Sequence, residues 1–160
     1  MEKKQTLLTE PNFSRLKDNI KKAKLEGNTT IIYSSEDDEL NRKVIEKLSI
    51  DILLINQKNR KDFQKQRNSG FNQVMAKTIK KKNIQLGINF DEIVESPSLK
   101  EKAEIIARIK QNISLCNKEN IKIKFIIQKE KNIRNIHDLK SLGLVLGMPT
   151  WMTSALSKEF

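Results

Sequence analysis

The stretch that decides the fold runs from residue 50 to residue 90 and reads IDILLINQKNRKDFQKQRNSGFNQVMAKTIKKKNIQLGINF. The apolar run at 50–55 is long enough for a buried strand and too short for a helix. Apolar residues then recur at helical spacing over about 69–82, and a second strand is predicted at 84–90. Two strands joined by one helix form a βαβ unit, so these two strands should be parallel.

The loop inside this unit lies where proteins commonly bind anions. It follows the carboxyl end of a strand and precedes the amino end of a helix, where unpaired N–H groups and the positive end of the helix dipole are available. Asn68 or Ser69 can cap that helix. Residues 56–83 carry nine basic side chains and one acid, which is +8 of the chain's net +11. The sequence therefore predicts a phosphate-binding surface here.

The residues of this surface divide into a main set and a secondary set. Arginine can grip a phosphate with two hydrogen bonds, lysine supplies a point charge, and glycine allows the backbone to approach closely. The main set of predicted RNA-binding residues is Lys58, Arg60, Lys61, Lys65, Arg67, Ser69 and Gly70. The secondary set is Lys80, Lys81, Lys82, Lys122 and Lys124.

The rest of the chain continues the alternation of helices and strands. Helices are predicted at about 12–26 and 36–47, near Ser96, and from Asn135 onward, with strands at 29–33 and 121–127. The expected fold is α/β, a single domain over residues 1–160 with about four parallel strands. Four strands cannot close an eight-stranded barrel, so an incomplete barrel or a small open sheet is expected, with functional loops at the carboxyl ends of the strands.

The composition limits the chemistry that the chain can perform. It has one cysteine, Cys116, and one histidine, His137, so neither a disulfide nor a His/Cys metal cluster can form within it. No glycine-rich nucleotide-binding motif is present, and nothing supports a catalytic triad. A net charge of +11 implies a polyanionic partner, RNA or DNA. The sequence shows neither a secretory signal nor a membrane span, which predicts a cytoplasmic protein.

Two alternatives to a binding module stay open. Asp37 and Asp38 follow one strand, and Asp91 and Glu92 follow another, where carboxylates could hold Mg²⁺ in a nuclease. The same acids also stand where helices are commonly capped. The other alternative is a general RNA-binding chaperone without a fixed partner.

The same residues resemble a known family, the third protein component of archaeal ribonuclease P, which is homologous to the thirty-kilodalton subunit of the eukaryotic enzyme. The resemblance covers about residues 28–157. In the central stretch it is carried by Asp51–Ile55, Arg60–Asp62, Ser69–Lys77 and Gln85–Phe90. Further along the chain it is carried by Asn112–Cys116, Asn135–Leu139, Leu146–Met148 and Ala155–Ser157.

The resemblance implies a barrel-like (β/α) fold and a role inside a ribonucleoprotein that removes the 5′ leader from precursor tRNA. It further implies that the RNA subunit and its Mg²⁺ perform the cleavage, and that this chain binds that RNA without a catalytic residue, metal or cofactor of its own. A second small protein subunit, component 2, is the implied protein partner.

The chain also departs from the usual family pattern in two places. Family members are usually longer, and only about 27 residues precede the first predicted strand here, so an incomplete barrel is expected. Its open sheet edges should be covered by a partner protein or by self-association. In the commoner family form Arg-Lys-Asp runs almost directly into Ser/Ala-Gly, whereas here Phe63–Asn68 lengthen the loop and add Lys65 and Arg67.

Overall fold

The strands of the molecule form one parallel sheet, with helices connecting them. The computed structural model describes residues 4–27 and 29–156. The strands are β1 (Lys4–Leu8), β2 (Thr29–Tyr33), β3 (Ile52–Leu54), β4 (Gln85–Asn89) and β5 (Ile123–Ile126). The helices are α1 (Phe13–Leu25), α2 (Asp38–Lys47), α3 (Gln73–Lys81), α4 (Phe90–Val94), α5 (Leu99–Lys118), α6 (Ile136–Val145) and α7 (Thr150–Ser154), with a 3₁₀ turn at Glu130–Asn132.

The strand order in the sheet is the same as the order in the chain, β1-β2-β3-β4-β5, and every pair is parallel. A sheet that never reverses its order follows the winding of a barrel wall, whereas a doubly wound sheet has a reversal point. The predicted parallel α/β fold is therefore confirmed, in its barrel-like form. At the edges of the described sheet, β1 is hydrogen-bonded only to β2 and β5 only to β4.

The predicted number of strands was one too low, because no strand was predicted before Thr29 and the structure has β1 at Lys4–Leu8. Its sequence, KQTLL, has only two apolar residues, so neither alternation nor an apolar run is evident. The strand forms because it pairs with β2 in continuous register, from Lys4 opposite Thr29 to Leu8 opposite Tyr33. Pairing of this kind is tertiary information that local propensity does not contain.

Both faces of the sheet are apolar. One face joins the helices in the main core, which includes Ile31, Leu53 and Leu86. On the opposite face Ile32, Ile52, Leu54 and Ile126 form a second buried cluster with Leu7 packed against it. Strands buried on both faces are typical of parallel sheets, and they explain why the run at 50–55 is continuously apolar.

Gly87 lets that second cluster close over the middle of the sheet. A Cβ at this position would lie 3.0 Å from Cγ2 of Ile52, and 3.2 Å from both Cγ1 of Ile126 and Cδ1 of Leu54. Because glycine has no side chain, residues of β3 and β5 can meet above β4. The absence of a side chain at Gly87 thus allows the second buried cluster to pack closely.

Several predicted boundaries move in the structure. Helix α3 begins at Gln73, and its cap is Asn72, whose Oδ1 accepts from the backbone N–H of Met75 at 3.0 Å. Neither Asn68 nor Ser69 caps it, so the loop is longer than predicted. The strand predicted at 84–90 ends at Asn89, because Phe90 opens the short helix α4. Within the described part of the chain, no helix is long and apolar enough to cross a membrane.

Candidate nucleic-acid interface

The loop between β3 and α3, residues 55–72, is organised around one carboxylate. Oδ1 of Asp62 accepts from Nε of Arg108 at 2.9 Å and from the backbone N–H of Asn68 at 2.9 Å. Its other oxygen lies 3.4 Å from Nη1 of Arg67. These contacts, above all the hydrogen bond from Arg108, hold the pKa of the Asp62 carboxyl below its usual value. The loop therefore has a fixed central point although it contains no helix or strand.

Arg108 is the buried ion-pair partner of Asp62, and the sequence did not predict it as a residue of the site. Only 3% of the residue is exposed. Besides Asp62, its guanidinium donates to the carbonyl of Gln57 at 3.1 Å and to the carbonyl of Arg60 at 2.9 Å. The signal that could have revealed it is position, because Arg108 lies on the apolar face of α5 between Ile105 and Asn112. A charged residue on a buried helix face must have partners, and here the partner is the loop.

Arg60 does not point outward to a phosphate, contrary to its prediction as an RNA-binding residue. Its side chain is only 10% exposed. Nη1 and Nη2 donate to the two carboxylate oxygens of Asp38, at 2.9 Å and 2.8 Å. Nε donates to the backbone carbonyl of Asn56 at 2.7 Å. The guanidinium is thus used inside the protein, where it joins the loop to the start of α2, and Asp38 neutralises its charge.

Ser69 and Gly70 also serve the loop rather than the surface. Ser69 is 2% exposed; its hydroxyl donates to the carbonyl of Phe71 and accepts from the side-chain amide of Gln111. Gly70 has a φ of +69°, and a Cβ there would lie 2.5 Å from Nη2 of Arg60. The close approach predicted at this glycine does exist, but the group that approaches is the Arg60 guanidinium. These two residues position Arg60 and the entry to α3.

The remaining cations of the main set stay exposed on the outside of the loop. They are Lys58, Lys61, Lys65 and Arg67. The loop's own acid, Asp62, pairs with Arg108 and, at 3.4 Å, with Arg67, while Asp38 faces Arg60, so the charges of the three lysines are not neutralised by an ion pair among the described residues. The Arg67 side chain remains 47% exposed beside Asp62, and an ion pair that meets water so freely is weak. We call these four residues the loop cations. The loop's position at the carboxyl end of β3 was predicted correctly.

The secondary set lies elsewhere, so the predicted surface is two surfaces. Lys80, Lys81 and Lys82 end α3, and Lys122 comes directly before β5, which places all four at the amino ends of the strands. Nζ of Lys80 donates to the carbonyl of Asn120 at 2.8 Å, and Nζ of Lys82 to that of Glu46 at 2.7 Å. These lysines satisfy carbonyls near helix ends while their residues stay exposed.

Lys124 belongs to neither surface. It lies in β5 opposite Gly87, on the sheet face of Leu54, and is 9% exposed. The apparent alternation of Ile121–Lys124 suggested a side open to water, but both faces of this sheet are covered. The prediction of Lys124 as an RNA-binding residue therefore fails on burial.

The carboxylates considered for a metal each have a protein partner. Oδ1 of Asp37 accepts from the backbone N–H groups of Glu39 and Leu40 and so caps α2, while Asp38 faces Arg60. Asp91 accepts from the backbone of Gln128 at 2.8 Å and from Nδ2 of Asn132 at 2.7 Å. Among the residues that the structure describes, no three His, Cys, Asp or Glu side chains lie together as metal ligands would.

Glu92 has a related structural role. Its two oxygens accept from the backbone N–H groups of Gln57 and Lys58, at 2.8 Å and 3.2 Å, where the chain leaves β3. Burial raises the pKa of this carboxyl, and the two hydrogen bonds oppose that shift. Glu92 thus fixes the beginning of the loop, as Asp62 fixes its middle.

The fold and the loop define a class: a barrel-like α/β protein with a cationic loop at the carboxyl ends of parallel strands. The family model described as RNase P subunit p30 matches residues 9–159, so the chain belongs to that family. The resemblance that the sequence predicted is confirmed. No curated protein matches the chain.

A solved structure shows the same fold. The chain is similar to a chain in the cryo-EM structure of archaeal Ribonuclease P with mature tRNA, at a TM-score of 0.76 and 21% sequence identity. The match covers 92% of this chain and 62% of that one, so this chain spans under two thirds of the length of its structural relative. At this level of identity the likeness establishes the shared barrel-like fold.

Proposed function

We propose that the protein is an RNA-binding subunit of ribonuclease P that assists the RNA-catalysed removal of the 5′ leader from precursor tRNA in the cytoplasm. Three findings support this: membership of the p30 family, the fold shared with a chain of an archaeal complex that holds tRNA, and the loop cations. The loop cations carry the proposal, because four exposed positive side chains on one ordered loop suit a phosphate backbone.

The chemistry of the cleavage is proposed to belong to the RNA subunit and the Mg²⁺ it binds. The strand-end carboxylates of this chain accept hydrogen bonds from their own protein, so they support the loop and the helix starts. These structural roles favour an RNA-binding subunit over the alternative of a Mg²⁺-dependent nuclease. The contribution of this chain is to hold and position RNA.

A second small protein subunit, component 2, is the proposed protein partner. Edge strand β1 is half-exposed along most of its length, and its outer edge has no strand neighbour among the described residues. Exposed edges of this kind are usually protected by another element or chain. A partner seated there would also leave the loop cations, at the ends of the strands, open to RNA.

The test compares RNA binding by two fourfold variants. Replacing Lys58, Lys61, Lys65 and Arg67 with Ala should reduce the slope of log Kd against log salt by up to about four counterion equivalents, each roughly 0.7 on a single strand and somewhat more on a duplex. The matched control replaces four exposed lysines of α1, Lys17, Lys21, Lys22 and Lys24, with Ala. It removes the same charge from another surface and should change the slope much less.

The same two variants are then added to the ribonuclease P RNA, and cleavage of precursor tRNA is measured at limiting Mg²⁺. We expect wild type and the α1 variant to stimulate cleavage, and the loop variant to stimulate it only at low salt. Equal slopes for the two variants would contradict the assignment of the loop. Equal affinity for unrelated structured RNAs would favour the general RNA-binding chaperone.

A further inference from the structure

We propose that Phe63 is a stacking platform for one unpaired base of the RNA that the loop binds. This inference rests on the proposed function and makes it more specific, since it assigns single-stranded RNA to one part of the surface. It is argued from the exposure of the Phe63 ring, the order of the loop around it, and the groove beside it.

Phe63 is the most exposed aromatic residue among those that the structure describes. It is 59% exposed, while Trp151 is 38% exposed and Phe71, Phe90 and Phe125 are between 2% and 6% exposed. The ring is the one apolar side chain in the polar segment Gln57–Asn68. A ring that is mostly in contact with water, on a loop that carries four exposed cations, has no part in the core, and its exposed face can accept a base.

The exposure of Phe63 is set by contacts on both sides of it. The preceding residue, Asp62, is held by Arg108 and by the backbone of Asn68. The backbone N–H of Phe63 itself donates to the carbonyl of Gln66 at 2.9 Å, which closes a tight turn. The turn presents the ring from a fixed backbone, and a platform of this kind loses less entropy when a base stacks on it.

A groove of about 670 Å³ opens beside the ring, between the loop and helices α2, α3 and α5. This volume lies in the range of sites for small organic ligands, and a nucleotide is such a ligand. The groove is lined on the loop side by Phe63, Gln66 and Arg67, and on the helix side by Arg42 and Gln73. The glutamine amides offer both donors and acceptors to the edge of a base.

The charges around the groove favour RNA over an apolar segment of a protein. Arg67 lines the groove, and Lys61 and Lys65 flank Phe63 in the sequence. On the opposite wall Asp38 is paired with Arg60 and Arg42 with Glu46, which leaves Glu39 as an acid without an ion pair among the described residues. The phosphates should therefore run along the loop side, with the base turned inward over Phe63.

The experiment measures the affinity of the full chain for a single-stranded RNA that carries 2-aminopurine, and for a blunt duplex of the same sequence. Stacking on Phe63 should quench the 2-aminopurine. Phe63→Leu keeps an apolar side chain of similar size but removes the aromatic face, and it should weaken single-strand binding roughly tenfold and abolish the quench. Phe63→Tyr should retain both, and duplex affinity should stay within about twofold for every Phe63 variant.

The matched control is Val74→Ala, which shortens another exposed apolar side chain, 60% exposed, on the neighbouring helix α3. It should leave both affinities unchanged.

If Phe63→Leu binds the single strand like wild type while Phe63→Ala does not, a simple apolar contact replaces stacking and the inference is overturned. Wild-type behaviour of both Phe63 variants, with binding still lost in the fourfold loop variant, would overturn the stacking site and leave the proposed function standing. Absence of RNA binding by the wild-type chain would instead overturn the proposed function itself.

Discussion

Arg60 and Asp38 form a two-point ion pair, with Nη to Oδ distances of 2.8 Å and 2.9 Å, that joins the loop after β3 to the first turn of α2. The arginine is almost buried and the aspartate is partly exposed. Because Arg60 also donates to the Asn56 carbonyl, its position is set by two elements at once. Arginine commonly binds phosphate, but here Arg60 joins the loop after β3 to helix α2 and so stabilises the fold.

Removing the carboxylate of the Arg60–Asp38 ion pair should destabilise the fold. Asp38→Ala leaves a nearly buried guanidinium without its carboxylate, and we expect a loss of about 1 to 3 kcal/mol in the free energy of unfolding, since the aspartate side of the pair meets water. Urea unfolding provides the measurement, with Glu39→Ala as control, because Glu39 is exposed and forms no ion pair within the described residues. Full stability of Asp38→Ala, together with a loss of RNA affinity in Arg60→Lys, would return Arg60 to the RNA-binding surface.

A side chain at position 70 should lower the free energy of unfolding for two separate reasons. A comparison of two glycine variants can distinguish them. The φ of +69° at Gly70 disfavours any residue with a Cβ, and that Cβ would also lie 2.5 Å from the Arg60 guanidinium. Gly27 has a similar φ of +78° with nothing within 4 Å of the added atom. Gly27→Ala should therefore cost about 1 kcal/mol of unfolding free energy from backbone strain alone.

Gly70→Ala should cost more, about 2 to 4 kcal/mol, because Arg60 must move away from Asp38 as well. Urea denaturation of the two glycine variants side by side measures the difference. Equal losses of unfolding free energy would mean that the Arg60 guanidinium can shift at no cost, and that the Arg60–Asp38 ion pair is weaker than its geometry indicates.

The contacts of Asp62 predict a dependence of stability on pH. The folded-state pKa of this carboxyl is lowered by Arg108 and by the Asn68 backbone, so the stabilisation is fully present above the unfolded pKa of about 4 and is lost as the pH falls through the folded value. Asp62→Asn should therefore have a lower free energy of unfolding than wild type at neutral pH, by about 1 kcal/mol because water screens the exposed carboxylate, and this difference should decrease in acid. Urea unfolding from about pH 7 down to about pH 3 tests this, with the exposed Asp18→Asn as control. If the difference in unfolding free energy between wild type and Asp62→Asn stays constant with pH, the charge of Asp62 is not what stabilises the loop.

The parts of the fold that the sequence predicted are those in which local pattern and final environment agree. Helix α1 begins after Asn12 and the strand Thr29–Tyr33 is observed as predicted. In the run at 50–55 all residues except Asp51 are buried, although only Ile52–Leu54 are paired as strand β3. Strand β1 was missed because its stability comes from pairing with β2. Val74 and Leu99 are apolar residues within predicted helices, yet both are exposed, since each lies at a helix start where the apolar face leaves the core.

The candidate site was predicted in its position and only partly in its residues. A loop at a strand's carboxyl end follows from chain order and parallel pairing, which sequence shows well. Whether a cation faces water or a carboxylate depends on contacts between distant residues, such as Arg60 with Asp38 and Arg108 with Asp62. These ion pairs span 22 and 46 positions, so no local pattern indicates them. Among the described residues the lysines of the loop form no ion pair, so their exposure agrees with what composition suggests, and RNA binding by them stays a prediction.

Cys116 should be chemically unreactive in the folded protein, because it lies on the buried face of α5. The residue is fully buried, and burial raises the pKa of its thiol to about 12. Because the folded pKa is raised above the unfolded one, both states are protonated below the unfolded pKa of about 8.5, and stability falls as the pH rises from there towards the folded value. A thiol-specific reagent at about pH 8 should modify the native chain only through unfolding, at a rate that increases with urea, while the urea-unfolded chain reacts at once. Rapid modification of the native chain without urea would mean that the α5 face opens locally, and that the core beneath the loop is less tightly packed than the structure shows.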